Sequence, residues 1–244
     1  MNRRDAVFIK INEKELMLVA CDSLGGIGPK SMDFVKAEVA TCAKYTFRVA
    51  LSEILSLGGN PIAFSLTLST EPYPFIEQAL SGIKGELEAC GLSPLPFVVS
   101  SEKNFPTHQT GLGVTVIGVV NHGELIFEKS CEGFNVFLLG SPAVGEEVLA
   151  KQNEIAGPSD IIALRESVLC GDIIPVGSKG VFWELTTFLQ STGLTVEIEN
   201  SFPLPLYKSC GPATALLFTT WEEEEKIHKV SKKPLFRLGK LRKT

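Results

Sequence analysis

Asp22 stands at the end of the apolar run Glu15-Leu-Met-Leu-Val-Ala-Cys21 and is followed at once by Ser23-Leu-Gly25-Gly26-Ile-Gly28-Pro29-Lys30. A carboxylate beside glycine-rich backbone is one way to hold a divalent cation next to free N–H groups. Those N–H groups suit phosphate oxygens, and Mg²⁺ bridges carboxylate to phosphate. On its own the loop reads first as a plain surface turn, because it matches neither G-x-x-x-x-G-K-[ST] nor G-x-G-x-x-G between a strand and a helix. A second carboxylate, Glu102, lies in Val99-Ser-Ser-Glu-Lys-Asn-Phe-Pro-Thr-His108, between two apolar segments. Hydroxyls, an amide, a carboxylate and an imidazole in one loop are groups that do work on a rigid scaffold. The alternative is an ordinary connection shaped by Asn104 and Pro106.

Arg48 and Glu53 are five apart on one long helical pattern, so they do not share a stripe. Arg48 sits among Phe47, Val49 and Ala50. It is either a snorkelling side chain at the edge of the apolar face or a charge that is paired or binds an anion. Ser178-Lys179-Gly180 follows an apolar strand and opens a helix. Its first N–H groups suit an anion with lysine adjacent, or Ser178 simply caps the helix. His108 reads as a base, a ligand or an exposed loop side chain. Six scattered cysteines with no C-x-x-C pair, and three histidines without ligand spacing, give no zinc site. They fit a reducing, cytoplasmic setting.

The elements that position these groups mix hairpins and helices without strict βαβ alternation. Strands are expected over 6–11 and 15–21, the second ending at Asp22, with a helix within Phe34–Leu57 stopped by Gly58-Gly59. A strand over Ile62–Leu68, a helix over Pro74–Cys90 and strands over 96–100 and 113–120 follow. A second unit then begins, with strands over 135–139, 172–176, 194–198 and 213–219 and helices over 161–170 and 181–191. The expected class is α+β, with helices on one face of a sheet. The expected domains are 1–130, a shortened 131–225, and a basic tail over 226–244.

Apolar residues make up 44% and charged ones 21% of 244 residues, ordinary values for a folded chain. No window approaches a membrane span, and the N-terminus lacks an uninterrupted apolar signal core. The tail holds eight Lys/Arg and no acids, leaving 15 positive against 28 negative residues before it. That acidic body argues against a nucleic-acid binder, and the tail reads as a mobile, solvated terminus.

Several stretches, in order, resemble the superfamily of aminoimidazole ribonucleotide synthetase, thiamine-monophosphate kinase, selenophosphate synthetase and the hydrogenase maturation protein HypE. Arg4-Asp5-Ala6-Val7 resembles its acidic G-D-D-x-A element, and Val19-Ala-Cys-Asp22-Ser23 the strand that ends in S-T-D-T. Val49-Ala-Leu-Ser-Glu53-Ile-Leu-Ser-Leu-Gly58-Gly59-Asn60-Pro61 looks like V-N-L-S-D-L-A-A-M-G-A-x-P. Ser101-Glu102 falls where the family has G-G-D-T or G-G-E-T. Within the superfamily, Gly26-Ile-Gly28-Pro-Lys30, Thr46-Phe-Arg48-Val-Ala50, Ser101-Glu-Lys-Asn104-Phe105 and Pro175-Val-Gly-Ser-Lys179-Gly180 resemble the α-ribazole kinases of cobalamin salvage.

The resemblance implies a PurM-like fold whose N-terminal half dimerises through its sheet, and an ATP- and Mg²⁺-dependent kinase acting on a small riboside. It implies Asp22 and Glu102 as principal metal ligands, with Asp5 and Glu53 as further carboxylates. Gly25, Gly26 and Gly28 would offer backbone donors to the nucleotide, Lys30 and Arg48 would neutralise phosphate, and Asn104 would join them. Lys179 would act at the acceptor end, with Ser101, His108 and Ser178 as substrate contacts. The sequence departs from the family at V-N-L-S-D, which becomes Val49-Ala-Leu-Ser-Glu53, and at the second half's D-x-S-D-G, which becomes Pro175-Val-Gly-Ser-Lys-Gly. The G-G-E-D-Y element becomes Cys210-Gly-Pro-Ala-Thr214. These losses point away from thiamine monophosphate as acceptor, or to a non-catalytic nucleotide-binding homologue.

Overall fold

Leu16, Leu18 and Ala20 alternate with Met17, Val19 and Cys21, and the first set is buried. That period of two is what a strand with one covered face requires. In the computed structural model, which describes residues 4–168, 170–198 and 204–243, this strand organises the first of two compact units. That unit comprises Asp5–Ile54 and Gly59–His122.

Its elements are β1 (Ala6–Lys10), β2 (Glu15–Gly25), β3 (Ile27–Gly28), β4 (Val35–Lys36), α1 (Val39–Ser56), β5 (Asn60–Leu68), α2 (Phe75–Ala89), β6 (Phe97–Ser101) and β7 (Gly111–Asn121). The sheet order is β1-β2-β7-β5-β6. Only β5 and β6 run parallel in it; the other neighbours are antiparallel. On the covered face, Leu18, Ala20, Val114, Val116, Phe64 and Leu66 are buried, and the rings of Phe47 of α1 and Phe64 meet edge to face at 5.4 Å. Helix and strand approach so closely that a Cβ on Gly118 would fall 2.4 Å from Ile54 Cγ2. Burying each such leucine or phenylalanine contributes about 1.5–3 kcal/mol.

One expectation shifts here. The second strand does not end at Asp22; it runs to Gly25, because Gly25 still pairs with Gly111 of β7. The helix expected within Phe34–Leu57 is α1, Val39–Ser56, and it is preceded by the short parallel β3–β4 ladder, Ile27 to Val35 and Gly28 to Lys36.

The second unit comprises Gly123–Thr244 with Arg4 and Leu55–Gly58. It contains β8 (Asn135–Leu139), α3 (Glu146–Ala150), α4 (Pro158–Ser167), β9 (Cys170–Pro175), α5 (Gly180–Thr192), β10 (Leu194–Ile198), β11 (Leu216–Thr220), α6 (Glu224–Val230) and β12 (Leu235–Lys243). The sheet is antiparallel throughout, in the order β10-β12-β8-β11-β9. Val136, Leu138, Leu217, Leu238 and Leu241 form a core with Val181, Leu185 and Phe188 of α5. The helix expected over 161–170 lies earlier, since Pro158 takes its first turn and the Asp160 carboxylate accepts the Gly157 N–H at 3.0 Å.

The basic C-terminus is not a solvated terminus. Glu224–Val230 is helical, and Leu235–Lys243 is a strand held between β8 and β10 with Leu238 and Leu241 buried. A register shift between Arg237 and Gly239 breaks the alternation, so the apolar residues show no period of two to set against their many charges. Among the described residues, no helix is long and apolar enough to cross a membrane.

Candidate functional site

Strand pairing sets where the acidic side chains go. Asp22 pairs with Val114, Val114 with Leu66, and Leu66 with Val99, a row crossing four strands. Asp22 therefore shares the helix-covered face with Ala20 and Val114. Three inter-strand steps of about 4.8 Å put it about 14 Å from the β6 end of that row. Burial pushes its carboxyl up to about 6, against a hydrogen bond from the Ser23 backbone that pulls the other way.

Glu102 follows β6. Its N–H donates to Leu68 O at 2.9 Å, extending the ladder by one step beside Thr67 and Ser100, which belong to the open face. Its Oε1 accepts the N–H groups of Asn104 at 2.6 Å and Phe105 at 3.3 Å. Those bonds, the Asn104 one foremost, hold the carboxyl below the usual range. Asp5 is exposed ahead of β1, and Glu53 is buried on α1. Asp22 and Glu102 thus stand apart across the sheet, whereas the β1–β2 register brings Asp5 alongside Cys21 and Asp22; among the described residues no group of three or more His, Cys, Asp or Glu side chains is arranged to hold a metal ion. The donor set does not fit a metal cage made by protein alone. A single carboxylate such as Asp22 fits a Mg²⁺ whose other ligands are nucleotide phosphates and water.

The glycine-rich segment serves as a seam. The N–H of Gly26 donates to Thr110 O at 2.9 Å, and Phe34 N donates back to Gly26 O at 2.8 Å. Gly28, at φ 155°, passes so near Thr110 that a Cβ would lie 2.2 Å from its hydroxyl. Gly26 thus spends its N–H and C=O within the fold, while Gly25 stands in register with Gly111 at the end of the ladder. Asp33, buried at 6% exposure, accepts Thr110 N and Oγ1, each at 2.7 Å, and Lys30 N at 2.8 Å. Burial raises its carboxyl, but these bonds win and leave it below the ordinary value.

Lys30 reaches across this seam. Its Nζ donates to the Glu71 carboxylate and to Thr107 O and Oγ1, both at 2.7 Å. Expected to meet phosphate, it instead pins the loop before α2 to the loop before β7. Arg48 is likewise occupied: its guanidinium forks onto buried Glu86 of α2, and a paired side chain replaces the anion-binding or snorkelling readings. His108 is exposed, and its carbonyl accepts Met32 N at 3.3 Å.

Where the parallel strands β5 and β6 end, Thr67, Leu68, Ser69, Ser100, Ser101, Glu102 and Thr107 line a pocket of about 380 Å³. Crevices outside the carboxyl ends of parallel strands are common ligand sites. The Ser101 hydroxyl there is buried and makes no hydrogen bond. Thr67, Ser69 and Ser100 carried no motif that singles them out in the sequence; only the pairing of β5 with β6 brings them beside Ser101 and Glu102. In the second unit, Ser178 and Lys179 are exposed. Lys179 itself occupies the cap of α5, without a side-chain cap bond from Ser178, and its Nζ lies 4.3 Å from the Trp183 ring.

Residues 3–120 match the family described as AIR synthase related protein, N-terminal domain. No curated protein matches the sequence. Among solved structures, AaThiL complexed with AMPPCP and TMP superposes with a TM-score of 0.67 at 15% identity, covering 100% of this chain and 86% of that one. Thiamine-monophosphate kinase from Stenotrophomonas maltophilia gives 0.66 at 16%, covering 100% and 90%. Phosphoribosylformylglycinamidine synthase II from Thermotoga maritima gives 0.61 at 16%, and this chain spans only 37% of it. The chain is therefore an α+β protein of the PurM-like fold, with its AIR synthase-related segment in the N-terminal half.

Proposed function

We propose that this protein is an ATP-dependent small-molecule kinase that phosphorylates the 5′-hydroxyl of α-ribazole. The observation that carries the kinase reading is the extent of the likeness: the fold accounts for the whole chain and for 86% of AaThiL, which was complexed with AMPPCP and TMP. The α-ribazole acceptor rests on the segments around Gly26–Lys30, Arg48, Ser101–Phe105 and Ser178–Lys179, and on the loss of both acids where Lys179 now stands.

In-line transfer of a γ-phosphoryl group depends on positioning and on neutralising spread negative charge. Bound Mg²⁺ would supply that neutralisation, with Asp22 as its protein ligand. Asp22 is suited to the role because its half-buried carboxylate gains most from an arriving cation. The Lys30–Glu71–Thr107 seam holds the loops around the Glu102 pocket in register. Lys179, steadied over Trp183, would orient the acceptor. A second copy of the chain is proposed to cover the open sheet face, where Val7, Ile9 and Val98 are 45–65% exposed. The six free cysteines suit the cytoplasm as its location.

The deciding experiment is mass spectrometry of the product formed from ATP, Mg²⁺ and α-ribazole, with thiamine monophosphate in parallel. Phosphorylated α-ribazole supports the assignment; product from thiamine monophosphate alone replaces the acceptor. A second reading, a nucleotide binder without catalysis, is favoured by the separation of Asp22 from Glu102 across the sheet. It predicts ATP binding with no product from either acceptor.

A further inference from the structure

An arginine held in one geometry gives up more rotamer freedom than most side chains lose on folding. Arg4 is nevertheless held: its Nη2 donates to Ser56 Oγ and to Ile173 O, each at 2.7 Å. Both acceptors are fixed points. Ser56 is the last residue of α1 and is fully buried. The turn around it has its carbonyls taken, with Gly59 N donating to Ile54 O, Gly58 N to Leu55 O and Ile126 N to Leu57 O, each at 3.0 Å. Arg165 of α4 spans the same turn, donating Nη1 to Leu55 O at 3.3 Å and Nη2 to Gly58 O at 2.9 Å. α1 has no basic residue in its own last turn, so these guanidiniums also oppose the negative end of its dipole. Ile173, fully buried, stands in β9 in register with Phe218 of β11. Two such acceptors on one nitrogen fix where the Arg4 side chain points, and with it the start of the chain's first strand.

The residue that follows is Asp5. It is exposed and precedes β1, whose pairing with β2 begins at Ala6 and Ala20. Carried one step further, that register sets Asp5 opposite Cys21, alongside Asp22. Asp5 lies outside the ladder, so its place depends on its neighbours in the chain, Ala6 in the strand and Arg4 in its clamp. We propose that Arg4 is a positioning residue, which through Ser56 and Ile173 holds the Asp5 carboxylate beside Asp22, the proposed ligand of the nucleotide's Mg²⁺. The inference rests on the kinase reading for the cation, and on the hydrogen bonds of Arg4 for its role. Removing an outer partner that orients a metal ligand typically costs about 10–100-fold in metal affinity.

The test is isothermal titration of the full-length protein with ATP, once in Mg²⁺ and once in EDTA. Wild type is compared with Arg4→Met, Asp5→Asn and the double variant. Arg4→Met keeps an unbranched stem and removes the donors. It is expected to weaken ATP about tenfold in Mg²⁺, with the EDTA affinity unchanged and circular dichroism native. The double variant should lose no more than Asp5→Asn alone, because Arg4 acts through that carboxylate. Ser56→Ala removes one acceptor far from Asp5 in the chain and should reproduce part of the same Mg²⁺-dependent loss. It decides the matter if Arg4→Met does not fold. Wild-type affinity in Arg4→Met or in Asp5→Asn, losses that add in the double variant, or an equal loss in Mg²⁺ and in EDTA would each overturn the role of Arg4 and leave the nucleotide reading standing. Wild-type protein that binds no ATP in either condition would remove the nucleotide reading, and this inference with it.

Discussion

Arg48 of α1 donates Nε to Glu86 Oε1 at 2.7 Å and Nη2 to Oε2 at 3.0 Å, so its planar fork matches the carboxylate of α2 in a nearly solvent-free setting. Lys44 stands 3.7 Å from the same carboxylate, and the Tyr45 ring lies 4.7 Å from the guanidinium. Burial works against the Arg48 charge, yet the bond and charge of Glu86 raise its pKa above the ordinary value. The pair joins the two helices of the first unit.

Glu86→Gln keeps the shape and removes the charge, leaving Arg48 buried without its counter-ion. It is expected to cost about 3–5 kcal/mol, read as a lower urea midpoint. Arg48→Met with Glu86→Leu should recover much of that loss, because both charges leave together. An unchanged midpoint in Glu86→Gln would show that the pair does not hold α1 to α2.

Asp22 carries its charge in a place that disfavours it. Its folded pKa, about 6, lies above the ordinary 3.8, so the folded state binds the extra proton and stability falls as pH rises through that interval. Asp22→Asn is therefore expected to raise stability at pH 7.5 by about 1–2 kcal/mol, after discounting for the carboxylate's partial contact with water. The gain should vanish near pH 4. The same substitution is expected to lower phosphoryl transfer by about 100-fold or more. Melting curves at the two pH values and a coupled ATP assay check both halves, and wild-type turnover would remove Asp22 from the chemistry.

Glu71 has the opposite sign. Its bond to Lys30, ahead of backbone bonds that include Thr107, lowers its carboxyl to about 2 from 4.5. The stabilisation is fully present above about pH 4.5 and is lost as the pH falls toward about 2. Glu71→Gln should flatten the acid limb of the stability profile and loosen the loops around Thr107, seen as faster amide exchange there. An acid limb identical to wild type would contradict the assignment.

Removing residues 226–244 is expected to unfold the second unit rather than trim it. Strand β12 lies between β8 and β10, and its loss would open the Leu238 and Leu241 side of the core. Near-ultraviolet circular dichroism of the shortened chain should lose its tertiary signal; retention of that signal would return the segment to the status of a dispensable tail.

The sequence alone determined the elements with a strong period. The apolar runs Glu15–Cys21 and Gly113–Val120, and the broad apolar face within Val39–Ser56, lie in local residue order and appear in the structure nearly as read. It also determined which residue types sat near strand ends, Asp22 and Glu102 among them. Tertiary structure decided what those residues meet. Pairing two intervening strands, β7 and β5, between β2 and β6 kept the two acids apart, while Glu86 and Glu71, unremarkable in the sequence, claimed Arg48 and Lys30. The strand at Leu235–Lys243 was hidden for a related reason: a bulge erased its alternation, and only the partners on either side supply the hydrogen bonds that make it a strand. Periodicity is a property of neighbours along the chain, whereas a charge finds its counter-ion through space, and no local pattern records that distance.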